Sequence, residues 1–504
     1  MAERAAPTPV DSDGLSRFAA TLPGRLAPLL ALAGVLLSYV IHRQLVGLRF
    51  PVPWPDEGSF LWQALAFRDR FSLFAPEVNP EREALWMPPG FMVLEGLFFK
   101  VVPFSLDVSR ALSALFLCGA VVCIFACFRR FETKALFPVL AALCLFCPIA
   151  RMAGNVARME GLELLVLSLA FFLIERRRGA ALGLLLVAPL VHPNGIFGVA
   201  VGVPSYFVLA RGPGTVKRAD VVVLGAALLA WVLYGLHISE HWAHFVRDMD
   251  AQIRFKQYVS GSDGGTVGRL AQPVVWGSAL SLVVAFVCVR RARHRVSAAF
   301  VFAAALLLQT ALAAGWLYEV YPAFAILVSS VVLSDALFAL LAASSLSPGR
   351  RTGVRTALAL LFIAVDAAAF QHNAFLERSL ERATVLRKSF SPAYVTAGDR
   401  AAVERYLASI VPPAGSAPLA VQFLPDAEAL LYEKLRGPTL RYVQQTFYEH
   451  RYDVLVVHDS VWFPPFVRNL ELIKLVYAKG GAPDTRVIYE RDGTEQWTAY
   501  RWAK

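Results

Sequence analysis

A chain of 504 residues with 57% hydrophobic content, only 17% charged residues and a mean hydropathy of +0.53 is not a soluble globular protein, in which about a quarter of residues are charged. The formal net charge of +11 does not mark a nucleic-acid binder, because Lys and Arg collect in short loops between apolar runs rather than along one stripe. Long apolar runs separated by basic loops describe a multi-pass α-helical membrane protein.

Residues 1–24 are polar and proline-containing and read as a disordered cytoplasmic tail. The first apolar run, about 26–46, is too long for the core of a cleavable leader and lacks a small-residue cleavage site, so it reads as a span. A long loop over 47–107 follows. It opens with Pro51-Val52-Pro53-Trp54-Pro55-Asp56-Glu57-Gly58, two adjacent carboxylates at the point where a membrane helix ends. An ionised carboxylate is not held cheaply in hydrocarbon, so this pair belongs at a water-facing surface. Later in the loop, the run from Pro88-Pro89-Gly90 to Phe98-Phe99-Lys100 is short for a crossing and carries Glu95. Were it to cross, Arg129-Arg130 after the next run would face the wrong side. It therefore reads as an interfacial helix in the outer leaflet.

Spans then follow at about 108–128, 135–150, 160–175, 179–191, 195–210, 219–236, 273–289, 297–314, 317–340 and 354–371, about eleven in all. The basic loops around Arg129, Arg176, Lys217, Arg290 and Arg350 all fall on one side, which the positive-inside rule makes cytoplasmic. The run at 179–191 is short and ends at His192-Pro193, which predicts a broken or tilted helix. Beyond residue 372 charged residues become frequent. Strands are predicted at 419–424 and 453–458, helices at 398–410 and 427–436, and a hairpin around Arg491-Asp492-Gly493 over 486–502. Residues 372–504 therefore read as a small extracytoplasmic α/β domain following a membrane domain at 25–371.

Sorting polar residues by side places nearly all the chemistry outside. Asn155-Val156-Ala157-Arg158-Met159-Glu160-Gly161-Leu162-Glu163 opens the 160–175 span, and Glu160 and Glu163 share a helix face. A charged helix start accounts for Glu160 through the helix dipole; Glu163 sits deeper and is the stronger candidate for a site. His192-Pro193-Asn194-Gly195 is a turn. His237, His241 and His244 have a spacing that would put three imidazoles on one helix face, with no carboxylate at ligand spacing to complete a zinc site. The six cysteines all lie in apolar segments and read as buried hydrophobes, Cys144-x-x-Cys147 included. No glycine-rich phosphate loop calls for a cofactor, and no ligand set supports a divalent metal.

These motifs occur in an order that resembles the C-type (GT-C) glycosyltransferase superfamily, in particular bacterial relatives of the protein O-mannosyltransferases and the aminoarabinose transferase of lipid A. The matching features are Asp56-Glu57 in the first outer loop, Pro88-Pro89 opening a juxtamembrane helix that ends in Phe98-Phe99-Lys100, and Val108-Ser109-Arg110 at the second span. Ala157-Arg158-Met159-Glu160 at the fourth span and Tyr318 to Pro322 complete the set. Met87 stands where relatives often carry His or Lys, Glu160 where Asp is more usual, and Tyr318-Glu319 where several have Arg-Tyr. The resemblance implies a GT-C-like membrane domain and a sugar donor linked to polyprenyl phosphate. Asp56 would be the general base toward an acceptor hydroxyl, on a glycan, lipid or protein, with Glu57 beside it. Arg82, Lys100, Arg158, Glu160, Glu163, His192, Tyr318 and Tyr321 would contact substrate. The Ala-, Arg- and Leu-rich composition points to a bacterium and so to its inner membrane, and eleven spans with a cytoplasmic amino terminus put the terminal domain outside. A transporter or flippase would call for charged paths from both faces and repeated halves, and a non-catalytic assembly protein would act through the terminal domain.

Overall fold

The structure is a computed structural model that describes residues 33–34, 37, 57–73, 87–147, 150, 156–209, 217–260, 270, 272–292, 297–312, 320–372, 397–417, 419–424, 440–442, 453–458, 483–491 and 493–502. Fourteen helices and five strands run through these residues in the order α1 (Glu57–Arg70), α2 (Gly90–Phe98), α3 (Leu106–Cys127), α4 (Phe131–Phe146), α5 (Glu160–Leu173), α6 (Arg178–Val191), α7 (Gly195–Leu209), α8 (Arg218–Glu240), α9 (Trp242–Ser260), α10 (Pro273–Arg291), α11 (Ala298–Leu312), α12 (Tyr321–Ala342), α13 (Pro348–His372) and α14 (Ala397–Ile410), followed by β1 (Leu419–Leu424), β2 (Leu440–Tyr442), β3 (Val454–His458), β4 (Asp484–Arg491) and β5 (Thr494–Arg501).

Among the described residues, five helices are long and apolar enough to cross a membrane: Val108–Cys127, Arg218–Glu240, Pro273–Arg291, Tyr321–Ala342 and Pro348–Phe370. Five further expected spans are helices, but short ones. They hold 14 to 16 residues, which at 1.5 Å per residue reach about 21–24 Å against the ~30 Å of a hydrocarbon core. Three of them carry an internal proline (Pro138, Pro189 and Pro204), which removes a backbone donor and limits straight extension. The first expected span, 26–46, lies almost wholly outside the described residues.

Helix α12 is the axis of the bundle. Most of its residues are buried, and α4, α10, α11 and α13 pack around it. Its Pro322 occupies the first turn, where a missing N–H costs nothing. A second layer is built by α3 on α5, where Gly161 lets the helices close until an added Cβ would stand 3.0 Å from the Ser113 carbonyl oxygen. α8 packs on α6 at one side, pinned where Asp220 accepts from Arg177 Nε at 3.1 Å and from the Ala180 amide at 3.3 Å. The opposite flank of α8 exposes Val222, Leu229, Val232, Leu233 and Leu236, an apolar surface fit for lipid.

The loop expected over 47–107 contains a helix that hydropathy did not show, α1, packed against α2. Its apolar residues fall on two sides, a pattern with little net amphipathicity. Phe60 and Ala64 join the membrane-bundle core with Met87, Phe91 and Met92. Leu61, Trp62, Leu65 and Ala66 join a second core with Val403, Tyr406, Leu407 and Ile410 of α14 and with Leu419, Val421, Val454, Val456 and Trp497 of the sheet.

The carboxyl-terminal sheet is mixed, with strand order β2-β1-β3-β5-β4. β1 runs parallel to β2 and β3, whereas β5 is antiparallel to β3 and β4. The expected hairpin is β4–β5; Gly493 supplies its left-handed position at φ +73. α14 matches the helix expected at 398–410, and the helix expected at 427–436 falls outside the described residues. One expectation is corrected. His237, His241 and His244 do not share a helix: α8 ends at Glu240, His241 has left helical geometry (φ −118, ψ 29), and α9 starts at Trp242.

Candidate functional site

At one end of the bundle the start of α5, the end of α6, the end of α11 and the start of α12 converge, and each brings a polar side chain. Glu163, in the first turn of α5, has no exposed surface. The Tyr321 hydroxyl donates to its Oε2, and Gln309 Nε2 donates to Oε1 at 3.2 Å. His192, the residue that caps α6, places Nδ1 3.4 Å from Oε2, and its ring lies 6.1 Å from that of Tyr321. The Asn194 amide also donates to His192 Nδ1, at 3.2 Å. One nitrogen cannot accept and donate at once. While Nδ1 accepts from Asn194, the ring is neutral with its hydrogen on Nε2; a proton on Nδ1 breaks that bond and turns to Glu163. A buried carboxylate that takes hydrogen bonds from α11 and α12, with the His192 ring at the end of α6 beside it, is what burial demands of an acidic group.

One turn nearer the end of the bundle, Arg158 and Glu160 form a second buried unit. Arg158 Nε lies 2.9 Å and 3.1 Å from the two carboxylate oxygens of Glu160, and its NH2 group lies 2.7 Å from Oε1. Both side chains are at most 5% exposed. The guanidinium also sits 5.5 Å from the Phe60 ring of α1. Arg158 therefore enters the site with its charge already compensated by Glu160, two residues away.

The motif at Pro88-Pro89-Gly90 is brought to this same end. Gly90 rests on the end of α6 so closely that a Cβ there would be 2.6 Å from the Leu190 carbonyl oxygen, two residues before His192. On the other side of α2, Gly96 meets the Ala64 carbonyl oxygen of α1 at an equivalent 2.6 Å. Glycine is needed at both places because backbone lies against backbone.

Of the residues singled out by sequence, the structure gathers Arg158, Glu160, Glu163, His192 and Tyr321. It sets Lys100 apart: the ammonium donates to the Arg68 carbonyl at 2.6 Å, lies 3.7 Å from the Phe71 ring centroid, and is exposed. Asp56, Arg82 and Tyr318 lie outside the described residues, and Glu57 is described only as the first residue of α1. Gln309 was missed. Its signal was visible, a lone amide in the apolar run Leu306-Leu307-Leu308-Gln309, which deserved the default functional reading of an intramembrane polar residue. Glu95 and Ser109 were noted without a role. Ser109 donates to the fully buried Glu95 carboxylate, and the adjacent Arg110 is 1% exposed.

The opposite end of the bundle has a different character. There Arg130 lies 3.8 Å from Asp335, Arg355 2.6 Å from Glu132, and Arg129 3.9 Å from Glu175. Thr133 donates to Asp335 at 2.7 Å. These are solvent-accessible ion pairs between helix ends. Among the described residues no group of three or more His, Cys, Asp and Glu is placed to hold a metal ion.

A model of glycosyltransferase family 87 matches residues 88–330, the stretch that supplies both buried polar units. Among solved structures, the chain is similar to the crystal structure of ArnT from Cupriavidus metallidurans bound to undecaprenyl phosphate. The TM-score is 0.50 at 16% sequence identity, covering 94% of this chain and 97% of that one. The apo state of ArnT from Cupriavidus metallidurans gives a TM-score of 0.44 at 15% identity, with 93% and 97% covered. No curated protein sequence matches significantly.

Proposed function

We propose that this chain is a multi-pass membrane glycosyltransferase of the GT-C superfamily that moves a sugar from a polyprenyl-phosphate donor to an acceptor hydroxyl at the outer membrane face, with Asp56 as the general base. The observation that carries the reading is the junction between α1 and the start of α5. The helix that follows Asp56 by one residue places Phe60 against the Arg158–Glu160 pair, at the end of the bundle where Glu163, His192 and Tyr321 also meet. The structural likeness to ArnT, described as bound to undecaprenyl phosphate, supports a lipid phosphate as the donor's leaving group.

Each group has a task in that reaction. Asp56 removes the proton from the acceptor hydroxyl as its oxygen attacks the anomeric carbon, and the bond to the phosphate oxygen breaks with inversion. A phosphate leaves without protonation, so no general acid is required. The departing anion does require donors placed in advance. Arg158 offers the planar guanidinium suited to phosphate, held in orientation by Glu160 rather than free to swing. His192 offers the hydrogen on Nε2, its ring oriented by the Asn194 amide that donates to Nδ1. Arg82 is a further cation that the sequence offers, whereas Lys100 is tied to the Arg68 carbonyl, apart from this group. Glu57 positions the acceptor. The site faces the outer side of a bacterial inner membrane, with the amino terminus cytoplasmic and the carboxyl-terminal α/β domain outside.

The test uses membranes containing the full-length protein and a panel of radiolabelled polyprenyl-phosphate sugars. Cleavage of the sugar–phosphate bond with transfer to an added acceptor is the expected result. Movement of the intact lipid-linked sugar across the bilayer without cleavage would instead identify a transporter.

A further inference from the structure

The carboxyl-terminal domain does not sit apart from the membrane bundle. Trp62, Leu61, Leu65 and Ala66 of α1 lie in one continuous buried core with Tyr406, Leu407 and Ile410 of α14 and with the inner face of the sheet. Phe60 and Ala64, on the other side of the same helix, belong to the bundle core. The 14-residue α1 is thus the wedge between two bodies, and the residue that precedes it is Asp56. The wedge is held on further sides as well. Gly96 brings α2 against its Ala64 carbonyl, Lys100 grips its last turn through the Arg68 carbonyl, and Arg158 sits over Phe60. Ala157, the residue before Arg158, is itself part of the core shared with α14.

An exposed terminal domain with no function in the reaction has no reason to bury a tryptophan and two leucines of the helix next to the acid pair. We propose that the carboxyl-terminal domain is a working part of the transfer site: it positions Asp56 by clamping α1, with Trp62 and Leu407 as the positioning residues in the core that the two share. The kinetic consequence rests on the general-base reading of Asp56; the mechanical consequence does not. Rotating or sliding α1 by a fraction of a turn carries its first residue, and the peptide bonded to it, through an ångström or more. Misplacement of a reacting group by about 1 Å can cost about 100-fold in rate. Donor binding, which depends on the bundle, is spared by such a movement.

The test is Leu407→Ala in the full-length protein in nanodiscs, with Leu407→Met as the volume-preserving control. Leu407 touches no substrate, so three readouts separate positioning from general damage. Hydrogen exchange of peptides within 57–70 is expected to quicken at least tenfold in Leu407→Ala, with peptides of α3 and α5 unchanged. Affinity for undecaprenyl phosphate, the probe for an intact bundle, is expected to stay within about twofold. Turnover per binding site is expected to fall about 100-fold and to be restored in Leu407→Met. Unchanged exchange over 57–70 would overturn the clamp itself. Faster exchange with normal turnover would overturn positioning while leaving the clamp. Loss of undecaprenyl-phosphate affinity in step with turnover would show a structural role only and would also overturn the proposal. If wild-type protein cleaves no polyprenyl-phosphate sugar, the functional reading fails, whereas the exchange measurement still decides the clamp.

Discussion

Replacing Tyr321 by Phe removes one hydroxyl and leaves the ring, so it isolates the hydrogen bond to Glu163. The carboxylate has no exposed surface, and water cannot step in for the lost donor. A hydrogen bond to a charged group is worth about 1.5–3 kcal/mol, so Tyr321→Phe is expected to cost about 2 kcal/mol. The same change made in a Glu163→Gln background breaks a bond between neutral groups and is expected to cost about 1 kcal/mol. The difference, about 1 kcal/mol of coupling, is the signature of a charged acceptor shared among α5, α11 and α12. Gln309→Leu should follow the same pattern with a smaller effect, since its bond is a longer 3.2 Å. The assay is a double-mutant cycle on unfolding free energy in detergent micelles. Additivity within about 0.3–0.5 kcal/mol would refute the picture of one anion held by both donors.

Breaking the Arg158–Glu160 pair by Arg158→Ala should destabilise the protein by about 3–5 kcal/mol, because a carboxylate 3% exposed is left uncompensated. Arg158→Met combined with Glu160→Met should recover most of that stability, measured by the same unfolding titration, yet show no sugar transfer. Gly90→Ala forces a methyl group into the Leu190 carbonyl, 2.6 Å away, and should cost about 1–3 kcal/mol as α2 shifts off α6; a thermal unfolding series checks it. Burial pushes the Tyr406 phenol above its ordinary value, with Arg501 and Arg486 offsetting part of the rise. The neutral phenol is therefore favoured in the folded state. Its stabilisation is complete below pH 10 and is lost as pH rises from there through the raised value, so Tyr406→Phe should flatten the alkaline fall in unfolding temperature.

How far the fold was legible depended on whether one element or several had to be known. α3, α8, α10, α12 and α13 announce themselves, since each is an uninterrupted apolar run between basic loops. The β4–β5 hairpin was equally plain from Asp492-Gly493 between alternating strands. α1 was hidden because it is buried on both sides by different partners, so its apolar residues trace no single stripe and its charges at Arg68, Asp69 and Arg70 dilute the hydropathy. α9 was hidden by its five charged residues (Arg247, Asp248, Asp250, Arg254 and Lys256), and its separation from α8 undid the histidine face.

The site divides in the same way. Glu163 was readable as too deep for a dipole effect, and His192 as the residue that ends a short helix. What no spacing could give is that Gln309 and Tyr321, both more than 140 positions away, close on the same carboxylate. Nor could sequence show that Arg158 is already spoken for. An Ala-Arg-x-Glu motif is compatible with a free cation facing phosphate or with a pair folded on itself, and only the 2.7 Å contact decides.

The most direct measurement is transfer by Asp56→Asn, assayed beside wild type with the same labelled polyprenyl-phosphate sugar and alongside binding of undecaprenyl phosphate. Unchanged expression and lipid-phosphate affinity with sugar transfer abolished is the expected result, because the amide keeps the shape and cannot take the proton. Full transfer by Asp56→Asn would contradict it.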